Sequence, residues 1–156
     1  MEIKPGKYIL SLEQAKKSLQ LADHLVYVTY PIVKENKLLL KVLEELSKAI
    51  ISAINSVLQY EYIYKRILIY SNAKDNFETF KRIALRYNIS QEQLKNIIEI
   101  LSLAEKHKKS PFEFAKNDKI VIMLENMKTD TLDLDKIKRF LLEAKDIIRK
   151  IFLKIR

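Results

Sequence analysis

Glycine is almost missing from this 156-residue chain: Gly6 is the only one, beside three prolines, no cysteine and no tryptophan. Phosphate-cradling loops need several glycines so that backbone N–H groups can approach an anion, so a Walker loop and a dinucleotide-binding turn are excluded. The Gly-x-Ser-x-Gly elbow of serine hydrolases is excluded for the same reason. All-β folds use glycine at hairpins and bulges, and its scarcity points to long helices instead. Without cysteine there is no disulfide framework, no thiolate nucleophile and no cysteine-ligated zinc. No stretch approaches the ~18 consecutive apolar residues of a membrane span. The start, MEIKPGKYIL, lacks the apolar core of a signal peptide. These absences predict a cytoplasmic protein with no membrane partner.

What is present is apolar and basic. Hydrophobic residues make up 48% and charged residues 31%, enough for one core and one domain spanning 1–156. Lys and Arg number 29 against 20 Asp and Glu, a net charge of +9. With 23 lysines and 21 isoleucines, the composition points to an AT-rich, heat-adapted archaeal genome.

Helical periodicity dominates. Ser11 to Gln14 reads as a capping box opening a helix over 12–29 that stops before Pro31. Asn36 then caps a long helix from Lys37 to Tyr70. Leu39, Leu43, Leu46, Ile50, Ala53 and Val57 form its stripe, with a second apolar row at Leu40, Ile51, Ile54 and Leu58. A helix this apolar must be covered on two sides. Further capping boxes at Asp75–Glu78 and Ser90–Gln93 open a short helix and a longer one. Ser110 reads as an N-cap with Pro111 at the first helical position, giving a turn or two of helix. Lys119–Leu132 reads as a small hairpin with a two-residue turn, and Asp133 caps a last helix carrying Ile137, Phe140, Ala144 and Ile151. The expected fold is all-α: an antiparallel bundle of four long helices plus one or two short ones, with a minor β-hairpin near 119–132.

Chemistry for catalysis is sparse. There are two histidines, His24 and His107, and neither has glutamate three residues before it, which removes the ferritin-like diiron pattern. His24 reads as a structural histidine, with pairing to Glu45 or Glu61 as the acid/base alternative. His107 reads as a cation complementing a helix C-terminus, with metal-independent RNA cleavage as its alternative. No catalytic, cofactor or metal residue is assigned, and the expectation is a non-enzymatic protein. Tyr27, Tyr30, Tyr60, Tyr62 and Tyr64 read as rings packed in the core with wet hydroxyls, or as a stacking platform for bases.

The positive charge is concentrated. Between Lys136 and Arg156 there are eight basic residues against Glu143 and Asp146. Lys138, Lys145, Arg149 and Arg156 share an outward face, and Lys106, Lys108, Lys109, Lys116 and Lys119 make a second cluster. Folding the hairpin back would merge the two into one anion-binding surface, so the partner expected first is RNA or a ribonucleoprotein. A homodimer or helical protein partner on the apolar face of the central helix is the second expectation, with Ser47, Ala49, Ser52, Ala53 and Ser56 allowing close approach.

The segment HKKSPFEF from His107 to Phe114, the following DKIVI, and ADHLVYVTYPIVKENKLLLKVLEELSKAI near the front resemble a group of uncharacterised small archaeal helical proteins. The resemblance implies an α-helical domain and archaeal origin, and carries no activity with it. In helical layout the chain also resembles HEPN domains, bundles that act in RNA metabolism. The arginine that those domains carry shortly before a histidine is absent before both His24 and His107.

Overall fold

A computed structural model describes residues 6–155. Helix α1 (Lys7–His24) runs through a π turn (Leu25–Thr29) into α2 (Tyr30–Val33), followed by α3 (Leu38–Ile63). Next come α4 (Ala73–Ile83), a 3₁₀ turn (Ala84–Tyr87) and α5 (Gln91–Lys109). Strands β1 (Phe112–Lys116), β2 (Lys119–Met123) and β3 (Thr129–Asp133) precede α6 (Leu134–Ile155). The fold is predominantly helical, but a three-stranded antiparallel sheet in the order β1-β2-β3 makes it something other than an all-α four-helix bundle. Among the described residues no helix is long and apolar enough to cross a membrane.

Several local expectations are corrected. Helix α1 starts four residues before Ser11, behind Gly6 at φ 92°, and the Ser11 hydroxyl donates to Gln59 of α3 at 3.0 Å instead of capping. Pro31 does not stop the helical path. It offers no N–H and its ring would collide with the carbonyl four residues back. The π turn before it widens the helix, with Tyr30 N–H donating to the Leu25 carbonyl, and the chain passes through. Asn36 uses its side chain for tertiary bonds, accepting from the Tyr30 hydroxyl and donating to the Asn117 carbonyl.

Helix α3 ends at Ile63, short of Tyr70. Lys65 takes the left-handed conformation at φ 59°, Lys65 N–H donates to the Tyr62 carbonyl and Arg66 N–H to the Glu61 carbonyl. That is a Schellman stop built without glycine. Helix α4 is capped by Asn72, whose side chain accepts from Asp75 N–H at 2.8 Å, so Asp75 lies in its first turn. The Ser90 box forms as expected, with both reciprocal bonds present, and Asp133 caps α6 by accepting from Lys136 N–H.

The helix expected after Pro111 is a strand. Phe112 and Phe114 alternate with Glu113 and Ala115, a period of two that pairs with β2 through a turn at Asn117, φ 57°. Ser110 is extended, and its hydroxyl bonds the Met123 carbonyl at 2.7 Å. The β2–β3 hairpin exists, but its connection spans residues 124–128 with Met127 left-handed, closed by Leu124 N–H to the Lys128 carbonyl.

Helix α3 is the centre, with Leu39, Leu43, Leu46, Ile50, Ala53 and Val57 buried. Its most extensive neighbour is α1, which runs antiparallel, as the Ser11–Gln59 bond and the Tyr8–Tyr60 ring contact at 5.2 Å show. The register sets Ala15, Ser18 and Ala22 against Ala49, Ala53 and Ser56, and all six are buried. Ala49, Ala53 and Ser56 of α3 therefore receive α1 of the same chain. Helix α6 covers a further face with Ile137, Phe140, Ala144, Ile147 and Ile151, and the sheet contributes buried Ile120, Ile122 and Leu132.

This close packing makes a test. Ala53→Leu inserts three heavy atoms where two helices meet on small side chains, and overpacking of this kind costs roughly 1–3 kcal/mol. Urea denaturation should show that loss, while Lys17→Ala on the exposed side of α1 leaves the midpoint in place. An unchanged midpoint for Ala53→Leu would contradict the close approach.

Candidate anion-binding surface

Glu61 follows Val57 by one helical turn, so it lies on the buried stripe of α3 and is only 2% exposed. A carboxylate in that position requires cationic partners close by. It has two: Arg66 Nη1 lies 2.7 Å from one oxygen and Arg86 Nη1 2.9 Å from the other. The Schellman stop carries the chain back so that Arg66 sits beside Glu61, and the 3₁₀ turn brings Arg86 from the other side. That turn ends at Asn88, φ 59°, whose carbonyl accepts from Lys150 Nζ of α6 at 2.9 Å. Hydrogen bonding and charge from Glu61 raise the pKa of Arg66 above its already high ordinary value.

Each guanidinium uses one nitrogen on Glu61, so other N–H groups remain for solvent or a ligand. Arg66 also lies over the rings of Tyr60 and Tyr64, at 5.9 and 5.2 Å. Those rings are 4.9 Å apart, and Tyr64 is 53% exposed. A cavity of about 350 Å³ is lined by Tyr60, Glu61, Arg66, Arg86, Tyr87 and Lys154. Lys154 also borders a cleft of about 320 Å³ with Asn88, Arg149, Lys150 and Leu153. Lys150 is occupied structurally by Asn88, Gln93 and Asp146. Arg149 is exposed while touching Asp146 at 2.6 Å, and that contact leads the causes that lower the Asp146 pKa. Five cations thus gather at the C-terminal end of α6, with Glu61 and Asp146 as their carboxylate partners.

Of the residues singled out from sequence, Arg149 lies here, and Arg156 lies outside the described residues. The others are distributed elsewhere. Lys116 and Lys119 flank the β1–β2 turn, and Lys138 shares a cavity with Asn117 and Asp118 of that turn. Lys138 and Lys145 each hold Nζ 5.6 Å from the exposed Tyr27 ring, and Lys145 also pairs with Asp23. Lys106 pairs with Asp130 and Lys109 with Glu105, both at 3.1 Å, while Lys108 lines a groove between α3 and α5. Helix α6 rises 1.5 Å per residue, so Lys138 and Arg149 are separated by roughly 16 Å along its axis. Part of the second cluster, Lys116 and Lys119, thus comes near Lys138 at one end of α6, while Arg149 lies toward the other end. Arg66 and Arg86 were missed because both lie outside the two basic clusters read from the sequence. The only signal was Glu61 at a buried helical phase.

The two histidines differ in setting. His24 is exposed, and the carboxylates considered for it are engaged elsewhere: Glu61 by two arginines, Glu45 by Lys41 and Lys48. His107 Nδ1 lies 2.6 Å from Glu113 and Nε2 3.0 Å from Glu44, tying the end of α5 to β1 and α3. Both ring nitrogens are thus engaged by carboxylates of the same chain. Among the described residues no group of three His, Asp or Glu side chains is placed to hold a metal ion.

Burial opposes a charge on His107, but the bonds and charges of Glu113 and Glu44 outweigh it, and its pKa is raised. A raised folded-state value means that the strut stabilises fully below the unfolded histidine pKa of about 6.5 and weakens as pH rises through the folded value. Urea midpoints measured from about pH 6 to pH 9 should fall across that window, and His107→Gln should flatten the profile. Identical profiles for the two proteins would contradict the ionic strut. Compared with family models, curated proteins and solved structures, the chain matches none.

Proposed function

We propose that this protein is a non-enzymatic module that associates with RNA or a ribonucleoprotein through the basic end of α6. The observation that carries the reading is the half-exposed Tyr64 ring against Arg66, next to Arg86, Lys154 and Arg149. Single strands are held by cations along the backbone and by aromatic faces on which bases stack, with little sequence preference. Tyr64 and the Arg66 plane supply faces, and Arg86, Arg149 and Lys154 supply phosphate contacts. Recognition of this kind draws its affinity from released counterions and is steeply salt-dependent. A cytoplasmic setting in an archaeal cell accords with the Lys- and Ile-rich composition, and the helical layout resembles that of HEPN domains in RNA metabolism.

A second reading is a protein partner in the groove between α3, α4 and α5. This space of about 680 Å³ has Ile51, Ile54, Leu58, Phe77, Leu101 and Ala104 among its lining and includes Ser47. It is the uncovered part of the apolar face of α3, and an amphipathic helix is the element that fits such a trough. Light scattering distinguishes a second copy there from a different partner.

The RNA reading is tested with fluorescent decauridylate. Binding should weaken with salt at a log–log slope of about −2, the value for roughly three single-strand phosphates. Arg149→Glu with Lys154→Glu should abolish it, and Tyr64→Ala should weaken it by about 1–3 kcal/mol. Lys116→Glu with Lys119→Glu at the sheet end should change it little. Absence of binding at low salt, or equal losses at both ends, would contradict the reading.

A further inference from the structure

Tyr87 sits at the base of the cavity between Glu61, Arg66, Arg86 and Lys154, and is 2% exposed. Its hydroxyl is the one buried side-chain polar atom among the described residues with no hydrogen-bond partner. Such orphaned groups are rare because burial removes water without replacing it. The carboxylate in the same cavity, Glu61, has its oxygens engaged by Arg66 and Arg86. Among the described residues, three cations face a single carboxylate in this cavity, which leaves positive charge in excess there.

We propose that this cavity seats a terminal phosphate, the phosphomonoester end of an RNA strand. The inference rests on the RNA reading above and names what its innermost part recognises. A phosphodiester within a strand carries one charge, whereas a terminal phosphate carries nearly two and offers three strong acceptor oxygens. Arg66 and Arg86 present free N–H groups in planar forks suited to such oxygens, and Lys154 adds a mobile ammonium. Tyr87 lines the same cavity, so its hydroxyl can donate to an oxygen of the bound phosphate. Burial first, and then the charge and hydrogen bonding of the nearby Glu61, raise the phenol pKa, so Tyr87 keeps its proton and acts as a donor. Because Lys154 borders the neighbouring cleft, a strand leaving the cavity would continue past Arg149.

The test compares decauridylates with a 5′-phosphate, a 3′-phosphate or neither, together with uridine 5′-monophosphate, at one ionic strength. One phosphorylated strand should bind about tenfold more tightly than the unphosphorylated one, the scale of an added charge-assisted contact. Lys154→Gln should remove most of that preference. Tyr87→Phe deletes the orphaned group: the free protein should melt at the same or a higher temperature, and the preference should shrink. The mononucleotide should compete if the phosphate is the anchor and fail if the strand alone is recognised, the latter result overturning the cavity assignment. Equal affinity for all three strands overturns the inference and leaves the RNA reading standing. Binding of none at low salt overturns both. A preference that survives Tyr87→Phe unchanged overturns the proposed role of the hydroxyl.

Discussion

Helix α3 is apolar around most of its circumference, and the requirement to cover it organises the other elements. Alanine and serine on one side admit α1 at close range, and larger side chains meet α6, α5 and the sheet on the others. The same requirement extends to the last turn of the helix, where the stripe reaches Glu61. The polar residue falls on a buried position, and the structure answers with two arginines brought from different elements. Two local stops, at Lys65 and at Asn88, aim those arginines. Burial of a single carboxylate thereby creates a surface with more positive charge than negative. The functional proposal descends from that arrangement, not from overall basicity.

Part of the remaining positive charge is paired within the chain. Lys106, Lys109, Lys145 and Arg139 each meet a carboxylate of the same molecule. Exposed pairs of this kind contribute little to stability, about 0–1 kcal/mol each, but they lower the local potential available to an outside anion. The basic end differs because its central carboxylate is shared between two guanidinium groups and hidden beneath them. An approaching phosphate would meet N–H groups before it met the negative charge.

Much of this architecture was legible where local chemistry and tertiary packing agree. The core stripe of α3, the Ser90 box, the Asp133 cap and the β2–β3 hairpin were all readable. Misreadings came where a tertiary contact overrode a local signal. Ser11 has the spacing of a cap, yet bonding to Gln59 and a start behind Gly6 move the helix boundary. Pro111 after Ser110 has the form of a helix start, yet pairing with β2 draws Phe112–Lys116 into a strand. Pro31 has the form of a stop, and the π turn absorbs it. The stop of α3 at Lys65 could not be read because it uses no glycine. The candidate site was the least legible feature. Arg66 and Arg86 are distant in sequence from the basic run in α6, and only the folded chain joins them through Glu61.

Chemical-shift mapping of the isotopically labelled protein during titration with oligouridylate tests the central claim most directly, since it locates a ligand without altering the protein. The account predicts that perturbed amides concentrate at residues 60–66, 84–88 and 146–155, with the sheet and the α3–α5 groove unaffected. Perturbations centred on residues 112–138, or none at low salt, would contradict it.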